Sequence, residues 1–504
     1  MTGLKRKNHE SPAREVDETG ISTRISTRAL KTRHVLSWLE SNGAALNDLF
    51  VDESPHGGLG VFTPKRVGAS KAVFSLPRKL LLSMDKLQIV SISDVLSEEL
   101  RAASREPALE NLGAAPLWLE LMLAREMPHH SFHVYATSLP YPSPDALSWP
   151  VDRREALLTG TNIGDSLLLA EKKLAVLFKV HLAPLLKAYG LTDAANTLEG
   201  FIWARGAYLS RGFPTELARD TEASSSITNR GSLACFVPFL DLLNHSEALA
   251  AGWASEKGGA DARATSGDST STRSDGAGCA KVHWDVTTDA EFLTFRCGDI
   301  TAGSEVFNTY GSKSNEQLLM AYGFCVRRNP EDVFQFRLAI DLSEEPCERA
   351  SAKRLLTLQA ALLRSCPTDS PHFGIAKDGL SLVAGPYQIR RGEAGGVPPS
   401  LILSCAVLAA EHEELDSALL ELSDDLDISV DLRAFEILKA QLQLHLSSLE
   451  ALAGQDADVL EEPPVSRQWD EKHMQNYSAA CYREGQREIL TEAMAELSSV
   501  LSVA

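Results

Sequence analysis

Two tyrosines stand twelve positions apart in the run NTYGSKSNEQLLMAYGF, Asn308 to Phe324, and each is followed by glycine. The chain has only nine tyrosines, so their pairing invites a chemical reading. Glycine beside an aromatic residue lets backbone approach a ligand or a neighbouring strand, and a phenol hydroxyl can then point into a site. Tyr310 and Tyr322 could orient a nucleophile or wall a channel; equally, both rings could fill a core. A second polar set lies in CFVPFLDLLNHS, where Asp241, Asn244 and His245 fall within five positions. They could hold a ligand, or form a turn whose side chains bond the backbone. Metal fits less well, because the close histidine companion is His283 and no carboxylate cluster accompanies it. Arg211, in LSRGF, is either a surface arginine or a cation of the same site. Gly57, Gly58 and Gly60 flank Leu59 at a strand start, where backbone groups can meet a ligand. No helix follows at once, which excludes a nucleotide-phosphate loop.

The elements that must position these residues are read from hydrophobic periodicity. Leu30, Val35, Leu36 and Leu39 predict a helix that stops at Asn42-Gly43. Gly58–Phe62 and Ala72–Leu76 predict two strands paired as a hairpin around a turn over Thr63–Ser70. Helices dominate residues 110–215. Strands resume at Lys281–Val286, Glu291–Arg296 and Ser304–Phe307, and a short helix follows over Glu316–Met320. Phe334–Leu342 is the last expected strand. Helical patterns then cover Ala350–Cys366, Leu401–Leu422, Leu432–Leu452 and Ser478–Leu501, broken by loops at Pro367–Pro398 and Gly454–Pro464.

Length and composition bound the functional classes. A chain of 504 residues exceeds what one core supports, so two or three domains are expected. The net charge of −19 opposes general nucleic-acid binding and suits basic protein partners. The eight cysteines include no C-x-x-C pair, which disfavours a zinc ribbon. No signal peptide and no apolar run of membrane-spanning length are visible, so a cytoplasmic or nuclear protein with reduced thiols is expected. Residues 1–28 are polar and read as a disordered tail, with Lys5-Arg6-Lys7 as either a nuclear signal or solvated charge. The Gly/Ser/Thr/Asp-rich tract over about 248–280 reads as a surface insertion. The acidic residues between Glu411 and Asp427 read as a solvated face.

Taken in order, the glycine-rich strand, D-x-x-N-H-S and Y-G-S-K-S-N…Y-G-F resemble the SET-domain methyltransferases. Phe236-Val237-Pro238, Asn244-His245-Ser246, the run from Tyr310 to Phe324 and Tyr482-Arg483-Glu484-Gly485-Gln486 resemble the subfamily typified by plant Rubisco large-subunit methyltransferase. The resemblance covers about residues 35–500. It implies an α+β fold: a β-rich SET domain with a pseudoknot over 29–329, a helical insertion about 85–215, and an all-α substrate-binding domain over 330–504. In that fold the strand into Asn244-His245 and the strand into Tyr310 lie side by side.

The resemblance also implies roles. S-adenosylmethionine would sit against Gly57, Gly58, Leu59 and Gly60, with Arg211 facing its carboxylate, where a bidentate guanidinium contact is natural. Asn244 would serve the amino-acid end, His245 would meet the adenine side largely through backbone, Phe324 would cover the adenine, and Asp241 and Tyr310 would also contact the cofactor. Tyr310 matches the catalytic tyrosine, aligning a neutral lysine amine, whereas Phe213 and Tyr322 would border the substrate channel. The implied activity is protein-lysine N-methylation of a non-histone protein, for example a basic ribosomal or translation-related one, by a monomer without metal. The alternatives are protein-histidine methylation and a non-catalytic binding module. Two departures matter: no cysteine cluster follows Tyr310, and Pro214-Thr215 replaces an arginine neighbourhood next to Phe213. Substrate identity does not transfer.

Overall fold

The computed structural model describes residues 27–55, 58–68, 71–87, 112–193, 195–214, 234–245, 285–288, 292–296, 299–308, 310–341, 372–375, 381–391, 396–409, 432–460 and 470–503. The tail before Thr27, the tract 248–280, the helix expected over 350–366 and the acidic stretch 411–427 lie outside them. Helix α1 (Thr27–Ser41) begins two positions inside the expected tail. Strands β1 (Phe50–Glu53), β2 (Leu59–Phe62) and β3 (Ala72–Pro77) follow. The helical insertion then carries α2 (Ala115–Glu126), α3 (His133–Ser138), α4 (Val151–Leu158), α5 (Asn162–Leu177), α6 (Ala183–Ala188) and α7 (Leu198–Arg211). Next come β4 (Gly212–Pro214), β5 (Ala234–Phe236), β6 (Asp285–Thr288), β7 (Phe292–Arg296), β8 (Glu305–Val306) and α8 (Asn315–Tyr322). The C-terminal part holds β9 (Val333–Asp341), β10 (His372–Ile375), β11 (Ser381–Arg390), α9 (Pro399–Ala409), α10 (Leu432–Glu450), α11 (Ala453–Leu460) and the 33-residue α12 (Glu471–Val503).

The strands form small antiparallel sheets in the orders β1-β2-β8, β3-β7-β6, β10-β11-β9 and β4-β5. The expected β2–β3 hairpin is therefore not made. Long-range partners satisfy both strands first: β2 lies between β1 and β8, and β3 pairs with β7. The intervening loop is itself taken up, since Val67 bridges Ile300 and the Thr63 N–H bonds the Ser304 carbonyl. A second correction falls in the stretch expected to be a loop over Pro367–Pro398. It contributes β10 and β11, whose backbone groups pair with β9 inside a largely helical region.

Three apolar clusters hold the fold. One packs the sheets, with Phe74 stacked on Phe295 at 4.3 Å. The second fills the helical insertion, where α2 buries ten consecutive residues, Ala115 to Ala124. The third lies in the C-terminal region. Helix α12 joins two of them. Ala479–Tyr482 enter the insertion core, and Ile489, Leu490, Ala493 and Leu497 enter the C-terminal core. Burying each of the larger aliphatic side chains contributes about 1.5–3 kcal/mol, so the helix is fixed along its length.

Polar locks tie α12 to the rest. Arg483 is buried against Asp456, which Arg487 also reaches, and Arg483 donates to the Leu157 carbonyl. Glu484 accepts both arms of Arg327, and Gln486 donates to the Val333 carbonyl at 3.1 Å. Tyr482 donates to Glu316 on α8 at 3.1 Å. Helix α8 is stopped and started by its own residues. Ser314 and Gln317 form a reciprocal capping box, and Gly323 takes the left-handed conformation at φ 76°. A Cβ at Gly323 would lie 1.9 Å from the Pro144 carbonyl oxygen, so that position needs glycine twice over.

Candidate active site

The strand ends converge at a parallel bridge between His245 and Asn308, with the Asn308 N–H bonded to the Asn244 carbonyl at 2.8 Å. This side-by-side placement is the one implied by the resemblance. It sets Tyr310 over His245: the Tyr310 N–H donates to His245 Nδ1 at 3.1 Å, and the rings stack at 5.1 Å. Since Nδ1 accepts, a neutral imidazole carries its proton on Nε2. Burial, aided by the Lys313 charge, pushes the His245 pKa down to about 4. The histidine is therefore neutral at physiological pH.

Helix α8 delivers the second ring. Tyr322 lies parallel to Tyr310, with centroids 4.4 Å apart and planes within 11°. Phe324 meets Tyr322 edge-on at 6.1 Å and stands 6.5 Å from His245. The two tyrosines thus pack as one stacked aromatic pair. The Tyr310 hydroxyl donates to the Leu243 carbonyl at 3.2 Å, and burial pushes its pKa up to about 12. Tyr322 is pushed up too, by burial and then by Tyr310. Both are protonated phenols near neutrality. With its proton given to Leu243, the Tyr310 oxygen can offer lone pairs to an approaching N–H or polarised C–H donor.

Arg211 and Asp241 form a polar end whose charges reach the Tyr310 phenol. Arg211, the last residue of α7, donates through Nη1 to the Asp241 carbonyl at 2.7 Å and to its carboxylate at 3.3 Å. Tyr135 donates to the same carboxylate at 2.9 Å. Burial raises the Asp241 pKa while Arg211 opposes the rise. Thr32, Val35, Leu59, Tyr135, Arg211 and Asp241 line one cleft. There Asp241 Oδ1 is buried without a hydrogen-bond partner among the described residues. A buried acceptor beside a guanidinium suits a zwitterionic amino-acid group, whose ammonium and carboxylate it could divide with Arg211. That donor and acceptor set fits the amino-acid end of S-adenosylmethionine.

Asn244 joins the two ends. Its amide donates to the Leu59 carbonyl at 3.1 Å and to Glu305 Oε1 at 2.6 Å. Glu305 also accepts from Ser54 at 2.8 Å. Gly58 is at φ 75° in the turn before β2, and its carbonyl accepts the Ser54 N–H at 3.0 Å. Gly57 lies outside the described residues. Gly60 serves an internal contact: a Cβ there would meet Glu305 Oε1 at 2.2 Å. Phe213 pairs with Cys235 in the β4–β5 ladder and packs on the sheet core. Among the described residues it makes no ring contact with Tyr310 or Tyr322. Sequence reasoning missed Tyr135, Glu305 and Glu316. Among the described residues no cluster of metal-ligating side chains occurs, and no helix is long and apolar enough to cross a membrane.

No family model matches the chain. Over 308 residues it is 24% identical to "Ribosomal lysine N-methyltransferase 1" of Saccharomyces cerevisiae, covering 60% of this chain and 42% of that protein. Over 319 residues it is 20% identical to "Actin-histidine N-methyltransferase" of Homo sapiens, covering 62% and 45%. The match thus spans under half the length of these curated relatives. Among solved structures, the SET domain of LSMT bound to lysine and AdoHcy aligns with a TM-score of 0.62 at 18% identity, covering 94% of this chain and 92% of that one. Rubisco LSMT bound to AdoMet aligns with a TM-score of 0.61 at 16% identity, covering 93% and 92%. The chain therefore has the SET-domain fold seen in Rubisco LSMT.

Proposed function

We propose that the chain is a protein-lysine N-methyltransferase that uses S-adenosylmethionine. The observation that carries this reading is the Tyr310 hydroxyl, protonated, anchored on the Leu243 carbonyl and stacked on Tyr322. Such a hydroxyl is no general base; it is an aligning oxygen. S-adenosylmethionine supplies an electrophilic methyl on a sulfonium. The attacking amine forms the new C–N bond as the S–CH3 bond breaks, leaving a thioether and releasing one proton. A lysine amine, with an ordinary pKa of about 10.4, must arrive deprotonated, and a dry aromatic wall beside a sulfonium cation favours that form. Tyr310 and nearby carbonyls would hold the amine in line, and Tyr322 would pack on the aliphatic stem. Arg211, Asp241 and Asn244 would bind the amino-acid end of the cofactor, with Phe324 and His245 toward the adenine.

The substrate in this reading is a protein, with ribosomal or translation-related proteins first among candidates because a ribosomal lysine methyltransferase is among the relatives. The acidic net charge favours a basic partner in the cytoplasm or nucleus. Histidine methylation is a second reading, supported by similarity to actin-histidine methyltransferases over a comparable share of the chain. Calorimetry with S-adenosylmethionine tests the shared part: saturable one-to-one binding is expected, and no detectable heat at millimolar ligand would refute both readings.

A further inference from the structure

We infer that Glu305 is a positioning residue of the cofactor site, fixing the Asn244 amide so that Asn244 presents an acceptor, and not a donor, to the ligand. The inference rests on the cofactor reading above and adds to it a residue and a hydrogen-bond polarity.

Three contacts carry it. Asn244 Nδ2 lies 3.1 Å from the Leu59 carbonyl and 2.6 Å from Glu305 Oε1. Both partners are acceptors, so the amide nitrogen must face them and both its protons are committed. What remains for a ligand is the carbonyl oxygen Oδ1. An acceptor there selects an N–H donor, such as the ammonium of an amino-acid group, and would repel its carboxylate. Glu305 cannot turn away freely, because its second oxygen accepts from Ser54 at 2.8 Å and Ser54 is buried. A charge-assisted bond of this kind is roughly twice as strong as a neutral one, so the carboxylate dominates the amide's orientation.

The sheet makes room for this contact. Glu305 pairs with Phe62 in the β2–β8 ladder, so Gly60, two residues before Phe62, lies diagonally across the same face. The carboxylate occupies the space a Cβ at Gly60 would need, 2.2 Å from it, with Asn244 Nδ2 at 3.2 Å. Glycine at 60 and glutamate at 305 are therefore one device, built across 245 positions of sequence. The Glu305 charge also reaches Tyr310 and favours its protonated phenol, so the same side chain touches both ends of the site electrostatically.

The test is calorimetry of S-adenosylmethionine with the full chain and with Glu305→Ala, Glu305→Gln, Asn244→Ala and the Glu305→Ala/Asn244→Ala double variant. Thermal melts would confirm that each is folded. Glu305→Ala should weaken binding at least about tenfold, as loss of a charge-assisted contact does. Glu305→Gln keeps one acceptor oxygen of the same reach but loses the charge and the second acceptor, so its affinity should fall between those of the parent and Glu305→Ala. If Glu305 acts through Asn244, the double variant should bind no more than about threefold worse than the weaker single variant. Additive losses, a glutamine no better than alanine, or parental affinity in a folded Glu305→Ala would each overturn the inference. No binding by the parent chain would instead remove the cofactor reading, and this inference with it.

Discussion

At the polar end of the site, Arg211, the neighbouring Asp241 and Asn244, and Glu305 come from three separate segments, and the hydrogen bond between Ser54 and Glu305 spans 251 positions. At the aromatic end, Tyr310, Tyr322 and Phe324 come from one stretch, with His245 added through a single parallel bridge. The polar end is held by directional bonds between side chains that must all be present. The aromatic end is held by stacking and by a short capped helix pinned from behind by α12. Damage should therefore appear differently. Polar-end changes should act first on ligand affinity, and aromatic-end changes on rate or on folding.

The largest effect is expected at the cap of α8. Gly323→Ala combines a left-handed backbone with a clash against the Pro144 carbonyl. It should destabilise the protein by roughly 3 kcal/mol or more, which denaturant unfolding would register. A loss below about 1 kcal/mol would mean that the aromatic end is looser than its packing indicates.

Next comes Tyr310. Tyr310→Phe removes the hydroxyl bonded to Leu243 while keeping the stack on Tyr322. Methyl transfer should fall at least about tenfold, or about 1.4 kcal/mol of barrier, with cofactor affinity nearly intact. A fall in affinity with unchanged turnover would invert the division of labour between the two ends.

The smallest effect is a pH dependence. His245 has its pKa lowered to about 4 from its usual 6.5, so the unfolded chain takes up that proton first as the pH falls. Its contribution to stability is present above pH 6.5 and fades as the pH drops toward 4. Glu316 behaves oppositely. Burial raises its pKa to about 7 from 4.5, so its contribution is complete below pH 4.5 and is lost as the pH rises through 7. Glu316→Gln removes only the second dependence. Its melting temperature relative to the parent should therefore be higher at pH 8 than at pH 5, and an equal difference at both would place the titration elsewhere.

This contrast also explains what was legible in the sequence. Tyr310, Tyr322 and Phe324 could be grouped because their spacing is local, and a short helix between them brings the rings together. Asn244 and His245 were visible as a polar cluster ending an apolar run. Glu305 was not, because a glutamate in a short strand looks like surface until its partners, Ser54 and Asn244, are known. Gly60 showed as a glycine but not its cause, which is a carboxylate from a distant strand. Arg211 was identified as a site cation, yet its engagement with Asp241 depends on where α7 ends. The β2–β3 hairpin failed for the same reason: local order suggested a pair, while β8 and β7 supplied the actual partners. The strands β10 and β11 were hidden in a stretch whose glycine and proline residues read as loop.

Methyl transfer to a lysine amine is tested most directly by incubating the protein with heavy-methyl S-adenosylmethionine and a cell extract, then locating the label by mass spectrometry. Label on the Nζ of a lysine, absent with Tyr310→Phe and abolished when that lysine is replaced by arginine, is the predicted result. Label on a histidine ring, or none on any protein while the cofactor binds, would contradict it.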